Sequence, residues 1–109
     1  VKDNFTIMKE EPFGPLVPIL TFKTFDEVIE RANDNDLGLC SYLYTNSMDK
    51  AHIGSEKLES GCVAVNTGVV ALAEAPFGGI KQTGYGREGG SGAIKDYLNV
   101  KYTHMGLKI

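Results

Sequence analysis

Over its first 66 residues the chain alternates three apolar runs of strand length with two capped, amphipathic helical stretches, and few folds accept that alternation. The first run is Leu16-Val-Pro-Ile-Leu-Thr-Phe22, in which Pro18 points to an edge position or an irregular start. Thr24-Phe-Asp-Glu27 then reads as a capping box: the threonine hydroxyl accepts from the third helical N–H, and the glutamate reaches back. Phe25, Val28, Ile29 and Ala32 fall on one helical face, and Asn33 to Asp36 with Gly38 stop the helix. Leu39 to Thr45 is a second strand. Ser47 caps a second helix, with Asp49 in its first turn and Met48, Ala51, His52, Ser55 and Leu58 predicted to face inward. Gly61 ends that helix, and Cys62 to Asn66 is the third strand. Short connections between alternating strands and helices predict parallel strands joined by right-handed crossovers. The predicted fold class is therefore α/β, built on a parallel β-α-β-α-β unit.

The remainder has another character. Residues 1–15 show no period and end in a loop stiffened by Pro12 and Pro15. Residues 67–92 form a long loop, and seven of the 13 glycines lie between Gly78 and Gly92. A loop of that length in a compact domain is usually functional. Ser91 to Leu98 is expected to form a short helix, and Val100 to Met105 alternates like a half-exposed strand that pairs outside the main sheet.

Composition excludes several classes. With 42% hydrophobic and 23% charged residues in 109, the chain is one globular domain's worth and not a disordered segment. Its apolar runs are far shorter than the roughly 18 residues of a membrane span. A net charge of −3 supplies no basic field, so neither nucleic acid nor a membrane is an expected partner. Cys40 and Cys62 sit in apolar runs at a spacing that suits no metal, and both are expected to be buried and reduced, in the cytoplasm or another reducing compartment. The start at Val1 rather than Met is expected of a fragment or a trimmed chain.

Motif chemistry is sparse. Gly84-Tyr-Gly86-Arg-Glu-Gly89 matches G-x-G-x-x-G literally, but no strand-to-helix context surrounds it and no acid follows at the right distance. Its glycines are expected to serve positive φ angles or close backbone approach. His52 and His104 have no evident nucleophile nearby. Topology gives the best site logic: ligands of parallel sheets bind beyond the carboxyl ends of strands. The third strand runs straight into the long loop there, making Asn66 to Phe77 the expected pocket wall.

Lys9-Glu-Glu-Pro-Phe-Gly-Pro15, Val65-Asn66, Ala75-Pro-Phe-Gly-Gly-Ile-Lys81 and Gly84-Tyr-Gly-Arg-Glu88 together resemble the C-terminal stretch of the NAD(P)-dependent aldehyde dehydrogenases. The resemblance runs from Ile7 to Tyr102. Gly61 to Gly68 and Asp96 to Tyr102 are most similar to the semialdehyde dehydrogenases, those acting on succinic semialdehyde above all. It implies that residues 1–98 are the C-terminal half of a catalytic domain and 99–109 an oligomerisation arm that completes an intersubunit sheet. The rest of the catalytic domain, the cofactor domain and further subunits would then be its partners. By the same resemblance the catalytic cysteine and general-base glutamate lie upstream, so no catalytic residue and no metal ligand is assigned here and the chain alone is expected to be inactive. Glu11 would hold the nicotinamide ribose of NAD or NADP, and Phe13 would pack against the nicotinamide. Val69, Val70, Ala71 and Phe77 would wall the aldehyde tunnel. Arg87 and Glu88 match a widely shared pair, with Glu88 expected in a salt bridge or a cap of the following helix.

One departure bears on substrate. Enzymes for succinic semialdehyde usually carry a serine where Ala71 stands, and alanine offers no donor to a distal carboxylate. Ketoglutaric or glutaric semialdehyde is therefore an alternative. A second reading of the whole chain is a stand-alone, non-catalytic assembly module derived from this segment.

Overall fold

The computed structural model describes residues 1–108. After a short 3-10 turn at Thr6–Met8, the elements are α1 (Phe25–Asn33), β1 (Leu37–Gly38), β2 (Cys40–Leu43), α2 (Met48–Lys57), β3 (Cys62–Val65) and β4 (Ile80–Lys81). A second 3-10 turn at Ala93–Tyr97 follows, where a short helix is expected. The helix starts are local chemistry. The Thr24 hydroxyl accepts from the Glu27 N–H at 3.2 Å, and the Ser47 hydroxyl accepts from the Lys50 N–H at 3.3 Å. Glu27 does reach back, but its Oε2 takes the Lys23 N–H at 2.8 Å, one residue beyond the cap. That bond, ahead of the Thr24 backbone and Arg31, holds the Glu27 carboxyl below its ordinary range.

β2 and β3 pair in parallel, with Cys40 opposite Cys62 and Leu43 opposite Val65, and α2 is the crossover between them. The predicted parallel α/β unit is thus present in its second half. β1 and β4 form a separate two-residue antiparallel pair, Leu37 with Lys81 and Gly38 with Ile80, which ties the glycine-rich loop to the chain before β2. Ile29 of α1 and Ala64 of β3 are the buried hydrophobic residues. Gly54 is the buried residue of α2, and the Leu43 and Phe25 side chains stand where its Cβ would be.

Several expectations need correction. Leu16 to Phe22 is not a strand. Pro18 removes a donor, no neighbouring strand pairs with it among the described residues, and Val17 and Ile19 stay exposed. The segment is pinned from outside instead, where Arg31 donates to the Thr21 carbonyl at 2.9 Å. Val100 to Met105 likewise forms no strand, with Val100 fully exposed. A strand needs a second backbone, and alternation alone does not supply one. The inner face of α2 is Ala51 and Gly54, with Leu58 just past its end; Met48, His52 and Ser55 are exposed, and His52 lies 3.7 Å from Glu56 one turn on. Cys40 and Cys62 are free and half-buried rather than buried.

The proportions follow from that thin core. The radius of gyration is 19.4 Å and the extents are 75 × 33 × 24 Å. A compact chain of this length has a radius near 13 Å by the usual scaling, roughly 2.2 N^0.38 Å. Phe13, Val17, Tyr85, Val100, Met105 and Leu107 all lie in solvent.

Candidate functional site

One of the expected site segments leaves from the carboxyl ends of β2 and β3. Asn66, the first residue after β3, adopts a left-handed backbone with φ 55°. Its side-chain oxygen accepts from the Thr45 N–H at 2.9 Å, and its side-chain nitrogen donates to the Thr45 carbonyl, also at 2.9 Å. One amide therefore closes both backbone groups of the residue beyond β2 and turns the chain into the loop that follows. Asparagine suits this because its short amide tolerates the left-handed region. The Thr67 hydroxyl is turned back to accept from the Val69 N–H at 3.2 Å.

The expected tunnel residues come next. Val69 and Ala71 are exposed and Val70 is half-buried. From Val69 to Ala73 no side chain carries a hydrogen-bond donor. Phe77 is half-buried and exchanges two backbone hydrogen bonds with Glu88, each 2.7 Å. That pair closes the glycine-rich loop at its base. Phe77 lines a cleft of about 290 Å³ with Leu39, Thr83, Arg87 and Tyr97. Glu88 is exposed, and its role in the described residues is this backbone pairing; neither the expected ion pair nor a cap of the Ala93–Tyr97 turn is formed.

Arg87 braces the loop from inside. Its guanidinium donates to the Gly79 and Gly86 carbonyls at 2.9 and 2.7 Å, and its backbone N–H donates to Asp96 at 3.0 Å. Gly86 has φ 84°, and Asp96 occupies the space beside it, so glycine is required there as expected. The loop neither follows a parallel strand nor opens a helix, which agrees with a structural rather than phosphate-cradling use. At the other end of β3, Gly61 packs so closely on Gly78 that a Cβ would land on the Gly78 carbonyl oxygen.

Glu11 is exposed on the Pro-braced loop and lines a cleft of about 320 Å³ with Glu10, Pro12, Leu39, Cys40, Ser60 and Thr83. Phe13, two residues on, is 95% exposed. The Glu11 and Phe77 clefts share Leu39 and Thr83, so they meet at the start of β2. Val69 to Ala71 lie at the opposite end of the strand pair, after β3. The structure thus joins the acidic loop to the glycine-rich loop, while the Val-Val-Ala segment stands apart from that junction.

Three residues have a positioning role that the sequence reading did not assign. Asn66 is one; its position at a strand end before Thr-Gly was the available signal. Asp96 is the second, reaching back nine residues to Arg87. Lys81 is the third, with φ 56°. Its ammonium donates to the Asn33 and Asn35 carbonyls at 2.9 and 3.0 Å and pairs with Glu59 at 2.6 Å. A cation at the end of α1 suits the helix dipole, but nothing local in sequence links Lys81 to that helix.

The class follows from this geometry: an α/β segment built on a parallel strand pair with a helical crossover. Comparison with known proteins then gives the family. The model described as "Aldehyde dehydrogenase family" matches residues 1–103, and the chain belongs to that family. It is 46% identical to the succinate-semialdehyde dehydrogenase [NADP(+)] GabD of Escherichia coli over 98% of its own length and 22% of that protein. It is 45% identical to a glutarate-semialdehyde dehydrogenase of Pseudomonas aeruginosa, over 97% of its own length and 22% of that protein. Among solved structures, an NAD+ complex of aldehyde dehydrogenase from Bacillus cereus superposes with a TM-score of 0.89 at 46% identity, covering 93% of this chain and 21% of that one. The chain thus spans about one fifth of the length of the relatives it matches. No helix among the described residues is long and apolar enough to cross a membrane.

Proposed function

We propose that this chain is the C-terminal portion of an oxidoreductase that oxidises a carboxylate-bearing aldehyde to the acid with NAD or NADP. The observation that carries the proposal is the acidic, aromatic loop at Glu11 and Phe13. A proline-braced loop that leaves a phenylalanine in water, two residues from an exposed carboxylate, suits a flat heterocycle with a ribose attached. Glu11 would accept hydrogen bonds from the two ribose hydroxyls, and Phe13 would abut the nicotinamide ring. When bound, the nicotinamide supplies the hydride acceptor; this chain's part is to hold and orient it. The names of the relatives, one with NADP and one solved with NAD+, support a nicotinamide cofactor without choosing between the two.

On the substrate side, Val69, Val70 and Ala71 would supply one apolar wall and Phe77, which this chain places apart from them, another. Ala71 offers no side-chain donor, so recognition of a distal carboxylate falls to backbone N–H groups or to residues outside this chain. Succinic and glutaric semialdehyde both suit such a wall, and relatives named for each support the choice. Residues 99–109 read as an oligomerisation arm, and the exposed apolar surfaces of the described residues as faces for the rest of a catalytic domain and further copies in a homo-oligomer. A cytoplasmic setting suits two free thiols.

The test is Glu11→Gln in the whole enzyme. Slower hydride transfer and weaker cofactor binding are expected with the fold intact. Unchanged rate and cofactor affinity would remove Glu11 from the cofactor site. The 109-residue chain itself should give no NADH or NADPH with succinic or glutaric semialdehyde.

A further inference from the structure

Cys40 opens β2 and Cys62 opens β3, and the parallel register sets them directly opposite each other. Opposed residues on neighbouring strands project from the same face of the sheet. Neighbouring strands lie roughly 4.7–4.9 Å apart. That spacing falls inside the roughly 4.4–6.8 Å between Cα atoms that a disulfide spans. Both thiols are free and half-buried. Cys40 lines the cleft of about 320 Å³ that contains Glu11, so small solutes reach it. The Cys62 thiol faces the Gly78 carbonyl at 3.8 Å. Burial, and after it the adjacent Cys62 sulfur, raise the Cys40 thiol above its ordinary range; the shift slows oxidation at Cys40 while marking the two sulfurs as neighbours. No other cysteine is present in the chain to compete.

We propose that Cys40 and Cys62 form a cross-strand dithiol that a hydroperoxide converts into a disulfide joining β2 to β3. One thiolate attacks the peroxide, breaking the O–O bond and becoming a sulfenic acid while the leaving oxygen departs as water or alcohol. The partner thiol then attacks the sulfenic sulfur. The S–S bond forms, the S–O bond breaks, and the hydroxyl leaves as water with the partner's proton. The two thiols lose two electrons and the peroxide gains them. Excess free thiol reverses the step by exchange. This chemistry is independent of the cofactor and substrate assignments, since it uses neither.

Two cysteines in any flexible chain will eventually pair, so the experiment must isolate the folded register. The full chain is treated with hydrogen peroxide in the presence of dimedone, which captures any sulfenic acid left unresolved. The ratio of intramolecular disulfide to dimedone adduct is read by peptide mass spectrometry. In native buffer that ratio should be at least about tenfold higher than in concentrated guanidinium chloride, because the strands hold the second thiol in place. Cys40→Ser and Cys62→Ser should each give only the adduct on the remaining cysteine. A native ratio equal to or below the denatured one, or a disulfide mainly between chains, would overturn the proposal.

Discussion

Replacing Asn66 by alanine tests the junction from which the candidate substrate loop departs. The substitution removes two hydrogen bonds to Thr45, both 2.9 Å, and leaves a left-handed backbone with φ 55° on a residue that disfavours it. Because these bonds are exposed, water replaces part of each, and the lower half of the usual range applies, about 0.5–1 kcal/mol apiece. The left-handed conformation adds about 1 kcal/mol for a residue with a Cβ and no local polar group. The sum is about 2–3 kcal/mol. Asn66→Asp keeps the left-handed tolerance and the acceptor for the Thr45 N–H but loses the donor to its carbonyl, so about 1 kcal/mol is expected. Amide hydrogen exchange gives the sharpest readout. Protection at Thr45 should fall by about 30-fold in the alanine variant and about fivefold in the aspartate variant, following the conversion of 2 and 1 kcal/mol. Urea midpoints should rank in the same order. If alanine costs less than about 0.5 kcal/mol, a surface-substitution value, the amide is not closing the strand ends and the reasoning fails.

Gly61→Ala should destabilise by about 1–3 kcal/mol, the usual cost of overpacking, because the neighbouring atoms are the Gly78 and Gly79 backbone and not a side chain that can rotate away; a melting temperature matching wild type would refute the close approach. For α1, the folded-state Glu27 carboxyl is held below its ordinary range by the Lys23 N–H. Its contribution is therefore present above the unfolded-state value and is lost as pH falls through the depressed folded-state value. The Lys23 protection factor, taken relative to the intrinsic exchange rate at each pH, should fall on acidification in wild type and show no such step in Glu27→Gln; identical profiles would contradict the assignment. The exposed Val100, Tyr102, Met105 and Leu107 predict self-association at micromolar concentration, reduced on removing residues 99–109. Sedimentation velocity decides this, and monomers with and without the segment would show that these apolar groups need no partner.

What could be read from the sequence is what neighbouring residues settle among themselves. Thr24 and Ser47 mark helix starts because a cap bond spans three residues. The parallel pairing of β2 and β3 was legible because a ten-residue helix between two short apolar runs leaves a right-handed crossover as the ordinary connection. Proline at positions 12 and 15 marks a stiff loop, and glycine in the 84–90 stretch marks the left-handed turns that Gly84, Gly86, Gly89 and Gly90 adopt. The acidic and tunnel loops were legible only as motifs; their geometry was not. Elsewhere the deciding atoms lie far away in the chain. Leu16 to Phe22 and Val100 to Met105 carry strand-like patterns, yet a strand exists only where a second backbone accepts its hydrogen bonds, and none does so here among the described residues. His52 and Gly54 both sit on plausible faces of α2, and the packing of Phe25 and Leu43 selected the glycine. Lys81 became the anchor of α1 because the β1–β4 pair carries it across to Asn33, 48 residues earlier. Local hydrogen bonds and backbone preferences act within a few residues and leave their mark in the sequence. Burial and pairing depend on which distant segments meet, and that was decided only by the tertiary structure.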